Sequence, residues 1–233
     1  KPFIAINHLE GHALSIKLER EINFPYLLLL VSGGHTEFTI IKGFNSYKRI
    51  GTTIDDALGE AFDKTARLLK LGYPGGPEIE KYAALGDKKR FKLPLPLIKE
   101  NNSHFSFAGL KSSVANIVAK HRCTEKFKRD MAASFQETVN QIIFNKTQNA
   151  INEYRQLVKS KKNLKIVVAG GVAANKSIRQ SLKKLGEIED CECLFPSIKY
   201  CTDNGAMIAL AGIERFERNK FNKLNFKPRP RWP

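Results

Sequence analysis

Three pairs of adjacent glycines, at 33–34, 75–76 and 170–171, each at the end of an apolar run, constrain the fold of this chain most strongly. The first pair follows Tyr26 to Val31 and the last follows Leu164 to Ala169. Apolar runs of this length are typical of strands buried in the centre of a sheet. Glycines at strand ends let a phosphate approach bare backbone N–H groups, although a tight turn explains any single pair equally well.

Helical patterns alternate with these strands. Apolar residues recur about every fourth position from Lys126 to Lys159, which predicts a long helix. We predict that Thr53 caps another helix, with Asp55 and Asp56 in its first turn, and that further helices follow. Those further helices are predicted to begin after Pro74, at Asn175 and at Asp203. The remaining predicted strands are Phe3–Ile6, which we expect to be buried, Thr36–Ile40, which we expect to be half-buried, and Cys193–Phe195. The alternation predicts an α/β fold with a mixed sheet covered by helices, in which ligands bind at strand ends.

Two histidines spaced four residues apart, His8 and His12, share one face of a predicted helix and can reach a single metal ion. Asp203 is the best-placed third ligand. Two imidazoles and a carboxylate suit zinc or iron and leave a position open for substrate, while two ordinary histidines are the alternative. A zinc peptidase of the H-E-x-x-H type is disfavoured. Leu9 follows the first histidine, and Glu10 lies on the opposite side of the helix.

Three acidic residues, Asp56, Glu60 and Asp63, recur at positions i, i+4 and i+7 of the helix predicted after Thr53. Three carboxylates on one helix face repel one another. The spacing therefore indicates either a solvated polar face or a role beside a ribose or a metal. Because acids are scarce in this chain, we weigh the two interpretations equally.

The composition indicates a polyanionic partner. The 233 residues include 39 Lys and Arg against 23 Asp and Glu, a formal net charge of +16. Such an excess favours nucleic acid through counterion release, although a lysine-rich proteome would also produce it. No apolar stretch approaches the roughly 20 residues that a transmembrane helix needs. The four cysteines form no C-x-x-C pair, which predicts reduced structural thiols in a cytosolic protein.

Seven segments, in order along the chain, form a specific set of motifs: HLEGH (8–12), LVSGGHT (30–36), IDDALGEAFDK (54–64), YPGGP (73–77), FSFAGLK (105–111), AGGVAAN (169–175) and CTDNGAM (201–207). Together they resemble the tRNA threonylcarbamoyladenosine transferases of the bacterial TsaD type, formerly described as O-sialoglycoprotein endopeptidases. The resemblance covers essentially the whole chain.

The resemblance implies the fold of the actin, sugar kinase and Hsp70 superfamily, with two lobes around a nucleotide cleft. Residues 1–50 would complete the first lobe, with the metal-ligand helix and the glycine hairpin. Residues 51–233 would form the second lobe, with a helical insert and the returning C-terminal helix. The implied reaction transfers a threonylcarbamoyl group from threonylcarbamoyl-AMP to the exocyclic amine of the tRNA adenosine beside the anticodon.

The resemblance also implies site residues. His8, His12 and Asp203 match the family's ligands for one divalent ion, iron or zinc, which would polarise the acyl carrier. The cleft would hold an adenylate-type substrate or ATP. The matching substrate-binding positions are Leu30, Val31, Ser32, Gly33, Gly34, Asp63, Gly76 and Asn175.

Further expectations concern partners and completeness. We expect tRNA on basic residues 88–92 and 220–231, partner proteins of the TsaB and TsaE type, a cytoplasmic location and no membrane. The family's first stretch, with a phosphate loop and the expected catalytic acid, precedes the position of Lys1. We therefore name no catalytic residue and expect an incomplete enzyme. The alternatives are a catalytically inactive fragment that binds tRNA or a partner protein, and an ATPase or kinase of the same superfamily.

Overall fold

A five-stranded mixed sheet forms the centre of the computed structural model, which describes residues 1–159 and 164–228. Its order is β3-β2-β1-β4-β5, in which β1 runs antiparallel to β2 and parallel to β4. β2 and β3 pair antiparallel, and β4 and β5 pair parallel. The mixed α/β prediction is therefore confirmed. The strands are β1 (Tyr26–Val31), β2 (Thr36–Gly43), β3 (Ser46–Thr52), β4 (Leu164–Ala169) and β5 (Cys191–Leu194).

Helices cover both faces of this sheet. The helices are α1 (His8–Leu14), α2 (Leu58–Leu68), α3 (Gly75–Ala83), α4 (Ala108–Ala119), α5 (Glu125–Val158), α6 (Lys176–Glu189), α7 (Ile198–Cys201) and α8 (Gly205–Phe216). Short 3₁₀ segments occupy Ser15–Leu18 and Gly171–Ala174. Within residues 1–159 and 164–228, no helix is both long enough and apolar enough to cross a bilayer.

The continuous apolar sequence of β1 is explained by two different cores on its two faces. Leu27 and Leu29 pack into the larger core, which includes side chains of α2, α4, α5 and α6. Leu28 and Leu30 pack into a smaller core with Leu9 of α1. Neither face of β1 meets solvent, so polar residues have no place in it.

The predicted half-burial of β2 is wrong, because its first six residues are all buried. The polar side chains of β2 are accommodated by hydrogen bonds. The Thr36 hydroxyl accepts from the Leu58 N–H at 2.8 Å, and the Thr39 hydroxyl donates to Glu37 at 3.2 Å. Satisfied polar groups can be buried at modest cost, so alternation in the sequence here does not indicate a solvated face.

The predicted cap at Thr53 is also wrong. Helix α2 begins at Leu58, and Asp55 and Asp56 precede it. The Thr53 hydroxyl donates to the backbone carbonyl of Asp56 at 2.7 Å. The Asp55 carboxylate accepts from the N–H of Phe107 at 2.8 Å, immediately before α4. Asp55 thus stabilises the start of α4, and not the helix that follows it in sequence.

Two further predictions need correction. The segment from Phe3 to Ile6 is not a buried strand, since it forms one isolated bridge, Phe3 to Asn222, and Phe3 is 38% exposed. The pair Gly75 and Gly76 does not end a strand and instead begins α3. The division into two lobes at residues 50 and 51 stays a prediction.

Candidate functional site

The three predicted metal ligands converge. His8 and His12 on α1, and Asp203 just before α8, each offer one ligand atom, and these atoms lie within 4.8 Å of one another. The Nε2 atoms of His8 and His12 are 3.2 and 3.0 Å from Asp203 Oδ1. The two rings stand perpendicular, with centroids 4.9 Å apart. Three ligand atoms at this spacing form one candidate metal centre.

The start of α1 fixes the spacing of the two imidazoles. Asn7 caps the helix, and its side-chain oxygen accepts from the Leu9 N–H at 2.8 Å. The helix therefore begins at His8, and His12 lies one turn further on the same face. Gly11 faces α8, where an added Cβ would lie 3.0 Å from Ile208 Cδ1. The missing side chain lets α1 lie directly on α8.

The chemistry of these three ligands fits a divalent transition metal. His12 is buried, whereas the side chains of His8 and Asp203 are 51% and 75% exposed. Burial lowers the pKa of His12, and the neighbouring His8 lowers it further. A lowered pKa keeps the His12 imidazole neutral, which is the form that binds metals. Two imidazoles and one carboxylate with open positions are the ligand set of zinc and non-haem iron sites.

One atom of this cluster lacks the usual support. His12 Nδ1 is buried and has no hydrogen-bond partner among the residues that the structure describes. In most metal sites this second ring nitrogen donates to a carboxylate or carbonyl, which orients the ring. The orientation of His12 must therefore come from the position of α1 itself.

Sequence reasoning missed the contacts that anchor α1. Glu10, between the two histidines, is fully buried and points away from them, toward α8. Its carboxylate accepts from Tyr47 Oη at 2.8 Å and from Arg215 Nη2 and Nε at 2.7 and 3.1 Å. A lone acid in a helix gives no signal of such partners, because Arg215 is 205 positions away in the sequence.

The glycine loops after β1 and β4 lie at the same edge of the sheet. These strands are parallel and pair Leu30 with Ala169, so their carboxyl ends coincide. Gly170 packs directly under β1, since an added Cβ would lie 2.3 Å from the Val31 carbonyl oxygen. A Cβ added to Gly171 would lie 3.8 Å from Thr202, the neighbour of Asp203. The metal cluster therefore adjoins the glycine edge.

The predicted substrate-binding glycines are open. A Cβ added to Gly33, Gly34 or Gly76 would meet no atom within 4 Å, and at Gly171 the nearest contact is an ordinary 3.8 Å. Gly75, by contrast, packs against α2, where an added Cβ would lie 2.6 Å from the Asp63 backbone. The fold does not require glycine at the open positions, and their bare backbone is left facing space that a ligand can enter.

Asp63 contacts Gly75, the neighbour of Gly76, at the start of α3. The Asp63 carboxylate on α2 accepts from the Gly75 N–H at 2.7 Å, so it acts as a cap for α3. On α3, Glu80 accepts from the Lys176 N–H at 2.6 Å. This bond joins the second turn of α3 to the first residue of α6.

Asn175 caps α6 from the other side of this junction. Its side-chain oxygen accepts from the Ile178 N–H at 3.0 Å, and its Nδ2 donates to the buried Gln136 Oε1 at 2.8 Å. A cleft of about 620 Å³ lies between α3, α5 and α6. Its lining includes Pro77, Glu80, Gln136, Asn140, Lys176 and Ser177. Gly76 and Asn175 precede two of these residues in the chain but do not line the cleft.

The three acids at helical spacing do not form a cluster. Asp56 lies before α2 and pairs with Lys64 at 2.9 Å and with Lys111 at 3.7 Å. Glu60 pairs with Lys64 at 2.7 Å, whereas Asp63 bonds α3. Only Asp63 therefore adjoins the candidate substrate site, and the other two belong to surface ion pairs.

The structure describes part of the predicted basic surface. Lys88, Lys89 and Arg90 are exposed, and Lys88 pairs with Glu137 at 3.1 Å. The end of the basic tail, including Arg229 and Arg231, lies outside the described residues.

The fold is thus a mixed α/β sheet with helices on both faces, and a cluster of two histidines and one carboxylate at its edge forms a candidate metal centre. Residues 1–210 match the family model of TsaD, tRNA N6-adenosine threonylcarbamoyltransferase, and the chain belongs to this family.

Relatives of that name support the assignment over the whole chain. The protein of Pelagibacter ubique (strain HTCC1062) is 54% identical over all 233 residues, which span 65% of its length. The protein of Rickettsia massiliae (strain Mtu5) is 49% identical over 233 residues, which span 68% of its length. The chain thus spans about two thirds of the relatives that it matches.

A solved structure shares the fold. Full-length HypF, in a phosphate- and nucleotide-bound form, matches 94% of this chain and 37% of its own with a TM-score of 0.65 and 15% identity. This likeness fits the predicted actin-like superfamily fold.

Proposed function

We propose that this chain takes part in transferring a threonylcarbamoyl group from threonylcarbamoyl-AMP to the exocyclic amine of the tRNA adenosine beside the anticodon. One observation carries the proposal. In a chain of the TsaD family, the ligand atoms of His8, His12 and Asp203 converge beside the open backbone of Gly171. An ion and a phosphate bound at these neighbouring places would touch the same acyl-phosphate group.

His8, His12 and Asp203 would hold one divalent ion, iron or zinc. The ion would supply Lewis acidity that polarises an oxygen of the acyl carrier. With three protein ligands, the remaining positions stay available to that oxygen. In the transfer, the amine nitrogen would form a bond to the carbamoyl carbon, and the bond from this carbon to the phosphate oxygen would break. AMP would leave, and the amine would release one proton to solvent.

The adenylate, or ATP, would lie along the glycine edge. The strand end Leu30–Val31 delivers the loop Ser32–Gly34, in which the Gly34 and His35 N–H groups converge on the Ser32 hydroxyl at 3.4 and 3.0 Å. An anion bound in this loop would replace the Ser32 hydroxyl as the acceptor of these two N–H groups.

The nucleoside would bind at the cleft between α3, α5 and α6, whose lining residues Pro77 and Lys176 directly follow Gly76 and Asn175 in the chain. Asp63, which bonds the start of α3, would face the ribose. The volume of this cleft, about 620 Å³, suits a ligand of nucleoside size. Its polar lining from α3, α5 and α6 supplies donors and acceptors for the base and the sugar.

The macromolecular partners would be tRNA and proteins of the TsaB and TsaE type. The net charge of +16 and the exposed Lys89 and Arg90 support a polyanion on the surface. Modification of tRNA would take place in the cytoplasm.

A chimera tests the proposal without depending on the length of this chain. The 233 residues would replace the matching segment of the Pelagibacter ubique relative, with which they share 54% identity. We expect the purified chimera to transfer the labelled threonylcarbamoyl group to tRNA and to contain about one metal ion. His12→Ala in the same chimera should lose the metal and the transfer, because it removes the buried ligand. A folded chimera without transfer, or a His12→Ala variant with full metal content, would contradict the proposal.

A further inference from the structure

A buried ion pair joins the metal-binding helix to α8. Glu10 has no exposed surface and lies between His8 and His12, and it pairs with Arg215 in the last turn of α8. The same carboxylate accepts from Tyr47 Oη at 2.8 Å, at the sheet edge strand β3. We propose that Glu10 and Arg215 are positioning residues, which hold the imidazole face of α1 against Asp203. This inference rests on the metal site of the proposed function.

The site needs such an anchor because its ligands come from two separate elements. His8 and His12 belong to α1, and Asp203 belongs to the segment that precedes α8. The side chain of Asp203 is 75% exposed, so packing does not fix it. His12 Nδ1 has no hydrogen-bond partner among the described residues, so the usual orienting bond is missing as well. The relative position of α1 and α8 therefore decides whether the three ligand atoms meet.

Three contacts of α1 along α8 help to fix that position, and the ion pair of Lys17 with Glu214 joins the following 3₁₀ segment to the same helix. His12 meets Asp203 at 3.0 Å before the helix begins, and Gly11 lies against Ile208 in its first half. Glu10 meets Arg215 near its end. Contacts at both ends and in the middle fix the rotation of α1 as well as its shift along α8.

The ion pair makes this arrangement specific. A buried carboxylate without a partner is very costly, so a shift of α1 that separates Glu10 from Arg215 is strongly opposed. The guanidinium of Arg215 is itself restricted, because its fork bonds Glu10 through two nitrogens and it lies 5.7 Å from the centre of the Phe44 ring. Both guanidinium nitrogens bond Oε2 of Glu10, and Tyr47 bonds Oε1, so the carboxylate is held in direction as well as distance.

Metal titration of the full chain tests the inference. Glu10→Gln keeps the shape of the side chain but removes its charge. We expect Zn²⁺ affinity, measured by calorimetry, to fall by about 10- to 100-fold, as for other residues that orient metal ligands. The absorption spectrum of bound Co²⁺ should also change, because the ligand geometry changes. Arg215→Lys keeps the positive charge without the fork, and we expect a smaller loss in the same direction.

Glu189→Gln is the matched control. Glu189 is 14% exposed and pairs with Arg155 at 2.7 Å between α5 and α6, away from the metal ligands. This variant should lower the melting temperature but leave Zn²⁺ affinity and the Co²⁺ spectrum unchanged. If Glu10→Gln and Arg215→Lys both bind Zn²⁺ as the parent chain does, the inference is overturned while the proposed metal site stands. If the parent chain itself binds no Zn²⁺, Co²⁺ or Fe²⁺, both are overturned.

Discussion

The adjacent glycines at 170 and 171 should respond in opposite ways to the same substitution. Gly170 has a φ of +97°, and an added Cβ would lie 2.3 Å from the carbonyl oxygen of Val31. Gly171 lies outside the positive-φ region, and its added Cβ would make only an ordinary contact with Thr202 at 3.8 Å. Alanine therefore conflicts with the fold at the first position and not at the second.

The magnitudes follow from these two environments. In Gly170→Ala, the backbone at φ +97° and ψ +164°, a region used essentially by glycine alone, costs about 1–3 kcal/mol. Forcing a methyl group against the β1 backbone adds about 1–3 kcal/mol. The sum, about 2–6 kcal/mol, is a large part of the total stability of an ordinary domain. Gly171→Ala should leave the free energy of unfolding unchanged or raise it by about 0.4–1 kcal/mol, because alanine restricts the unfolded chain.

AMP binding should provide a second test of these two glycines, independent of stability. If Gly171 leaves its backbone bare for the adenylate, then Gly171→Ala should weaken AMP binding in calorimetry while urea unfolding shows an intact fold. Gly171→Val should weaken it further, since a larger side chain enters the same space. Unchanged AMP affinity in a stable Gly171→Val variant would make this glycine an ordinary turn residue. A Gly170→Ala variant as stable as the parent would refute the packing argument.

Two other predictions concern charge. Lys89→Ala and Arg90→Ala should each lower the salt dependence of tRNA binding. The slope of log K against log salt should become shallower by about 0.7–0.9 for each phosphate that is no longer neutralised. An unchanged slope in filter-binding titrations would show that these residues are not in the interface. The hydrogen bond from Gln148, helped by Arg155, lowers the pKa of Glu189 below its ordinary 4.5, so the folded state holds this proton less tightly than the unfolded chain. The resulting stabilisation is present above pH 4.5 and is lost as the pH falls below it, and Glu189→Gln should flatten this acid loss in urea unfolding series.

The elements that sequence predicts well carry their signals locally. β1 is a continuous apolar run, and α5 repeats its apolar residues at helical spacing over 34 residues. Helix α6 follows Asn175, whose side chain bonds the N–H of Ile178 three residues later. In each case the interactions that form the element lie within the element or beside it, so the sequence pattern is sufficient.

The errors occur where a side chain bonds a distant segment. Thr53 and Asp55 resemble helix caps, yet Asp55 bonds the N–H of Phe107, 52 positions away, and so supports α4. Phe107, the residue at the N-cap position of α4, makes no side-chain cap bond, so α4 has no local cap. Local patterns cannot distinguish a cap for the next helix from a cap for a remote one.

In the candidate site, too, the local spacing could be predicted and the distant contact could not. The i and i+4 spacing of His8 and His12 predicts a shared face, and the structure places them together. The partner of Glu10 could not be predicted, because nothing local distinguishes a buried acid on α1 from a solvated one. Its burial is explained by the ion pair with Arg215, which lies near the other end of the chain.

The glycine pairs show why a motif can carry both fold and function. In two of the three pairs, the first glycine packs against backbone and the second faces open space. Gly75 lies against the Asp63 backbone and Gly170 against Val31, whereas an added Cβ at Gly76 meets nothing within 4 Å and at Gly171 meets only Thr202 at 3.8 Å. The packed glycine brings two backbone segments closer than any side chain allows, and this approach sets the position of its neighbour. The neighbour then presents a bare N–H at a fixed place. A double glycine is therefore informative where one residue is needed by the fold and the next is not, because ligand binding is then the testable explanation for the second.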